Sequence, residues 1–144
     1  MAGKIDMLAD LKLDGRTVLC RVDFNVPLKN GVIADDTRIQ AALPTIAALR
    51  EGGAKVVLCS HLGRPDGERK PEFSLLPVAE RLASLIDTEV VFSHDIVGDE
   101  VAQLVKEQPP RGVILLENLR YDEREEAGDS ALARQLASLG DLFV

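Results

Sequence analysis

Short runs of apolar, β-favouring residues, at about Thr17–Val26, Lys55–Ser60, Glu89–Ser93, Gly112–Leu116 and Leu142–Val144, are separated by stretches in which apolar residues recur every three or four positions. That alternation restricts the fold more than any other feature of the chain. Strands that alternate with helices are joined by crossovers, which lay the strands parallel and put helices on the faces of the sheet. Lys55-Val56-Val57-Leu58-Cys59-Ser60 is apolar through its middle instead of alternating, as a strand covered on both faces must be. The expected fold class is α/β: a doubly wound, Rossmann-like parallel sheet flanked by helices, with its fifth strand only begun. At 144 residues the chain suits one domain with a sizeable core and leaves no room for a second.

The helical stretches carry their own punctuation. Ile39, Leu43, Ile46 and Leu49 keep to one face; Thr37 and Gln40 have capping-box spacing, and Pro44 predicts a kink or restart. Gly52-Gly53 closes that helix; with Ala54-Lys55 it lacks the spacing of a phosphate loop. Ser74 caps a helix carrying Leu75, Val78, Ala79, Leu82, Leu85 and Ile86, with Pro77 tolerated in its first turn. Asp99 opens another through Val101, Leu104 and Val105, and Asp129-Ser130 a last one through Leu132, Ala133, Leu136 and Leu139. Lys29-Asn30-Gly31 is a turn into a short arm, Val32-Ile33-Ala34.

In open parallel sheets ligands sit beyond the carboxyl ends of the strands. Polar side chains gather at those ends here: Arg21, Asp23 and Asn25 after the first run, His61 and Arg64 after the second, Glu117, Asn118 and Arg120 after the fourth. Side-chain alternation puts Arg21, Asp23 and Asn25 on one face as the strand runs out. Arg38, Arg64 and Arg120, with His61 and Arg21, then converge on one edge although they are far apart in sequence. Guanidinium forks match carboxylates and phosphates, so the convergence calls for a small polyanion. Gly63 permits close backbone approach and offers an amide donor, while Asp23 and Asn25 supply an acceptor and an amide for a ligand hydroxyl. No Ser or Cys nucleophile stands beside His61, which is read as an anion contact rather than a general base. His94 is read as structural. The acidic run Asp122–Glu126 has two readings, a divalent-ion site or a solvated turn paired with arginines, of which the second is preferred.

Composition narrows the partners. Acidic residues outnumber basic ones by 24 to 17, and the formal charge of −7 disfavours nucleic acid. Cys20 and Cys59, inside apolar runs and without Cys-x-x-Cys spacing, read as small buried hydrophobes, so no metal site is expected. No run spans a bilayer and the start shows no secretory pattern, so the expectation is a cytoplasmic protein without membrane partners. Two other classes fit the same fold: a stand-alone anion-binding or regulatory module, and a dinucleotide-dependent oxidoreductase. The first strand lacks the following G-x-G-x-x-G that the latter needs.

Taken together, Arg21-Val22-Asp23-Phe24-Asn25-Val26-Pro27, Asp36-Thr37-Arg38-Ile39, Ser60-His61-Leu62-Gly63-Arg64-Pro65, Ser74-Leu75-Leu76-Pro77-Val78-Ala79 and Leu116-Glu117-Asn118-Leu119-Arg120 resemble the amino-terminal domain of phosphoglycerate kinase, in order and over essentially the whole chain. The resemblance implies a cytosolic glycolytic enzyme, monomeric at full length, that moves a phosphoryl group between 1,3-bisphosphoglycerate and ADP to give 3-phosphoglycerate and ATP. It implies substrate contacts at Asp23, Phe24, Asn25, Arg38, His61, Leu62, Gly63, Arg64 and Arg120, with Arg38 nearest the transferring group and therefore the catalytic residue. It further implies that residues 1–144 are an incomplete substrate-binding domain and that the ATP/ADP and Mg site lies in a carboxy-terminal domain absent from this chain. Such a fragment is expected to bind phosphoglycerate weakly, to lack turnover, and to self-associate through surface that a complete sheet would cover.

Overall fold

The computed structural model describes residues 13–29, 32–63, 67, 69–122, 124–128 and 130–144. In chain order its elements are β1 (Thr17–Arg21), β2 (Leu28–Lys29), β3 (Val32–Ile33), α1 (Thr37–Glu51), β4 (Lys55–Cys59), a 3-10 turn (Pro71–Phe73), α2 (Leu76–Ile86) and β5 (Val90–Ser93). After these come α3 (Asp99–Glu107), β6 (Val113–Leu116), a second 3-10 turn (Leu119–Tyr121), α4 (Arg124–Ala127), α5 (Ser130–Ala137) and β7 (Leu142–Phe143). Five strands form one sheet in the order β5-β6-β4-β1-β7, and every pairing in it is parallel. β2 and β3 form a separate antiparallel arm.

The side-chain period of two divides the sheet between two cores. Val18, Cys20, Val56, Leu58, Val113 and Leu115 point to the face that Ile39, Ile46 and Leu49 of α1 and Val78, Ala79 and Leu82 of α2 cover. Leu19, Val57, Cys59, Ile114 and Leu116 point the other way, toward Val101 and Val105 of α3 and Leu132 and Leu136 of α5. The result is three layers, helix on sheet on helix, as the apolar runs require. β4 and β6 are neighbours, yet β4 leads to α2 on one face and β6 to α4 and α5 on the other. A crevice opens where such neighbours part, and it is here that doubly wound sheets bind ligands.

Several local expectations need correction. The first strand ends at Arg21, five residues short of Val26, although Val22 still donates to the Cys59 carbonyl at 3.0 Å. The residues after it leave the ladder because other acceptors claim their amides: Phe24 N–H donates to Ser60 Oγ at 3.0 Å and Asn25 N–H to Asp23 Oδ1 at 3.2 Å. Asp23 and Asn25 therefore owe their placement to a turn rather than to strand alternation. α1 runs unbroken through Pro44; the proline is on the exposed side, where water can serve the carbonyl it leaves without a donor. No capping box forms. Asp35 Oδ1 accepts the Thr37 N–H at 2.8 Å, and the Gln40 amide reaches Asp36 Oδ1 at 2.8 Å. Ser74 lies two residues before α2 and still accepts the Leu76 N–H, at 3.2 Å.

Leu58 and Leu115 are cross-strand partners, each 0% exposed. Leu58→Ala and Leu115→Ala are each expected to cost about 2–5 kcal/mol. The double variant should cost less than the sum, because both vacate one shared space. Urea unfolding of the four proteins of the cycle checks both statements.

Candidate functional site

The rim above the carboxyl ends of β1, β4 and β6 is built from backbone turns held by buried polar side chains. After β1, Phe24 is 0% exposed and anchors the turn in the core, with its N–H on Ser60 and its carbonyl accepting from Val26 at 2.9 Å. Ser60 Oγ in turn donates to the His61 carbonyl at 3.0 Å, so one hydroxyl ties the exits of β1 and β4 together. Asn25 links the same segments a second time: its Oδ1 accepts the Gly63 N–H at 3.0 Å, and its carbonyl accepts Arg38 Nη1 at 2.6 Å. The Gly63 amide is thus spent inside the protein rather than offered to a ligand. Gly63 holds φ +59°, and a Cβ there would lie 2.5 Å from the Phe73 ring, so both conformation and space demand glycine.

After β6, two residues that the sequence places at the strand end without assigning them a contact do most of the holding. Glu117, 4% exposed, accepts the Leu75 N–H and the Asn118 N–H at 2.8 Å each and the Ser74 hydroxyl at 2.7 Å. Its carboxylate meets the first turn of α2, where the helix dipole and free amides favour a negative charge. Asn118, 0% exposed, binds Leu62, Phe73 and Arg120 through its side-chain amide. The signal for both was present in the sequence: polar residues directly following an apolar strand, which burial obliges to find partners.

Arg38 extends from the first turn of α1 to the β1 exit, where Nη1 also lies 3.5 Å from Asp23 Oδ1, a long contact between half-exposed groups. It lines two adjoining hollows, one of about 250 Å³ shared with Arg21, Asp23 and Thr45 and one of about 500 Å³ shared with Asn25, Pro27, Asp35 and Thr37. His61 is partly buried between charged neighbours. Burial holds its imidazole below the ordinary histidine value, and the positive fields of Arg120 and Arg21 add to this, against the smaller opposing pull of Asp23 and Glu125. The same interactions place His61, Arg120, Arg21 and Asp23 within one electrostatic neighbourhood. Leu62 is buried at 3% exposure with its N–H and carbonyl both on Asn118, beneath the rim. Arg64 lies outside the described residues.

Arg21 already has a partner: it pairs with Glu125 at 2.6 Å, which raises its pKa. With Asp122 on Arg124 at 2.7 Å, the acidic turn is an arginine-paired surface. Among the described residues no three His, Cys, Asp or Glu side chains group to hold a metal ion. Cys59 is buried, which pushes its thiol up to about 12 and leaves it inert. A hollow of about 780 Å³ between the β2–β3 arm and α2 is lined by the Arg81–Asp36 ion pair and contains none of the residues expected to bind.

A family model described as phosphoglycerate kinase matches residues 8–144. The phosphoglycerate kinase of Thermosipho africanus is 54% identical over 137 residues, which cover 95% of this chain and 34% of that protein. That of Clostridium perfringens is 49% identical over 139 residues, 95% of this chain and 35% of that protein. Among solved structures, phosphoglycerate kinase from Coxiella burnetii superposes with a TM-score of 0.82 at 39% identity, covering 94% of this chain and 33% of the other. The enzyme from Pyrococcus horikoshii gives 0.83 at 34% identity, covering 93% and 34%. The chain spans about a third of the length of the relatives it matches.

The depressed His61 pKa fixes the sign of a pH effect. Between the ordinary value near 6.5 and the lower folded value, the unfolded chain binds more protons, so acidification through that window removes stability. Denaturant unfolding against pH should show this loss, and His61→Gln should remove its share of it. A slope unchanged by His61→Gln would contradict the assigned environment.

Proposed function

The chain belongs to the phosphoglycerate kinase family, and from that membership we propose that it is the amino-terminal, phosphoglycerate-holding part of an enzyme that transfers a phosphoryl group between 1,3-bisphosphoglycerate and ADP, giving 3-phosphoglycerate and ATP. One observation carries the reading: Arg38, Asn25, Gly63 and Asn118 form a continuous run of contacts along the carboxyl ends of β1, β4 and β6, with His61 in the fields of Arg120 and Arg21. Cations assembled at one sheet edge against a formal charge of −7 suit a small, doubly charged guest.

In this reading Arg38, His61, Arg64 and Arg120 face the phosphate and carboxylate of the substrate, and Asp23 and the Nδ2 of Asn25 meet its hydroxyl. Phe24, Leu62 and Gly63 shape the cradle from beneath. In the direction of ATP synthesis the bond between the acyl oxygen and phosphorus breaks as a terminal ADP oxygen bonds to that phosphorus; the reverse step starts from a carboxylate that is already ionised, so neither direction asks this rim for a general base. Arg38, which lines both hollows beside the β1 exit, is the residue assigned to neutralising charge on the transferring group. Enzymes of this family use nucleotide and Mg, and the reading assigns both to the part of such an enzyme that this chain does not span. A cytoplasmic, full-length monomer accords with it; among the described residues no helix is long and apolar enough to cross a membrane.

Titration of the 144-residue chain with 3-phosphoglycerate by calorimetry tests the proposal. Saturable binding is expected, weakened about tenfold or more by Arg38→Ala and left unchanged by Arg50→Ala at the far end of α1. No ATP should form from 1,3-bisphosphoglycerate and ADP with this chain alone. Equal affinity of the Arg38→Ala variant, or turnover above background, would contradict the reading.

A further inference from the structure

Asn118 has no role in the contacts assigned above to substrate, yet no side chain of the rim is bonded more completely. Its Oδ1 accepts the Leu62 N–H at 3.1 Å and the Arg120 N–H at 3.0 Å; its Nδ2 donates to the Leu62 carbonyl at 2.7 Å and the Phe73 carbonyl at 2.9 Å. A carboxamide has two donor hydrogens and two acceptor lone pairs, and all four are used. Two backbone N–H groups on one atom also fix which end is oxygen. The partners lie on three separate segments: the β4 exit between His61 and Gly63, the 3-10 turn before α2, and the turn that carries Arg120. Leu119 N–H adds a direct bond to the Ser60 carbonyl at 3.0 Å, closing the ring between the β4 and β6 exits.

These are the two strands that part toward opposite faces of the sheet, and past the Leu119–Ser60 bond the separation of their exit loops depends on side chains. We infer that Asn118 is a positioning residue that sets the separation of the His61–Gly63 segment from Arg120, and thereby the spacing of the cationic groups that receive the substrate anion. The inference rests on the rim being the phosphoglycerate site, but its structural half can be tested apart from that. Aspartate would lack both donors, and alanine would leave two backbone N–H groups and two carbonyls without partners in the interior. Serine is the informative substitution: its hydroxyl can still serve the nearby Arg120 N–H in a local turn, while it is too short to bridge Leu62 and Phe73.

With two histidines in the chain, proton NMR reads the effect directly. In Asn118→Ser the His61 titration should move up toward the ordinary value as Arg120 recedes, with Arg21, Asp23 and Glu125 the other charged groups facing it. The other histidine, His94, is exposed and edge-on to Phe92 at 5.3 Å, which distinguishes its ring signals from those of His61. Affinity for 3-phosphoglycerate should fall about tenfold, and the Asn118→Ser/Arg120→Ala double variant should bind no more weakly than Arg120→Ala alone. A folded Asn118→Ser chain with unchanged His61 titration and unchanged affinity overturns the inference. Should that variant not fold, amide exchange in the unaltered chain decides: Leu62 and Arg120, both donating to one oxygen, should open together, and independent opening overturns it. If the unaltered chain does not bind 3-phosphoglycerate, the substrate reading fails, and the His61 and exchange measurements still judge Asn118.

Discussion

The parallel pairing of β4 with β6 is the constraint on which the rest of the molecule depends. Val56, Val57 and Leu58 stand opposite Val113, Ile114 and Leu115, so the two strands end level with one another. Both are buried on both faces and cannot be shifted by one residue without turning every side chain to the wrong core. Because their exits turn to opposite layers, the ladder stops supplying hydrogen bonds at the point where the chains separate. Backbone groups there are buried with no strand partner, and a buried polar group without a partner costs of the order of a few kcal/mol.

Side chains replace the missing ladder. Ser60, Glu117 and Asn118 are each at most 4% exposed, and each bonds backbone of a segment remote in sequence. Polar residues at the ends of apolar strands therefore have two levels of use. An inner set, uncharged apart from Glu117, is consumed in holding loops; the proposed site draws on an outer set, Arg38 on α1 and His61 and Arg120 on the exit loops. The net negative charge of the chain is compatible with this because its carboxylates at the rim are neutralised locally: Glu117 by helix amides, Glu125 by Arg21 and Asp122 by Arg124.

Much of this was legible in the residues, and the parts that were not have a physical pattern. Apolar runs gave the strands to within a residue or two, except the first, where the alternation of Arg21, Asp23 and Asn25 imitates a strand. Asx-type and serine bonds won there, a competition that periodicity does not register. Thr37 and Gln40 have the spacing of a capping box, but Asp35 and Asp36, one turn earlier, offer charged acceptors that outcompete it. The arginines drew notice as site candidates because guanidinium is rarely buried and must face something. The loop-holding role of Asn118 and Glu117 was not legible, since a short polar side chain after a strand looks the same whether it points to a ligand or to a neighbouring loop. Arg21 illustrates the converse, a cation at a strand end whose partner, Glu125, is 104 positions away.

The central claim is that one edge of the sheet, and no other part of the surface, receives the substrate anion. Backbone and side-chain NMR of the isotopically labelled chain during titration with 3-phosphoglycerate addresses it most directly. The account requires resonances of Asn25, Arg38, His61, Gly63 and Arg120 to shift together along a single saturation curve. Shifts gathered instead around Arg50, Gln108 and Arg111, which line a hollow of about 510 Å³ at the amino ends of β5 and β6, would contradict it.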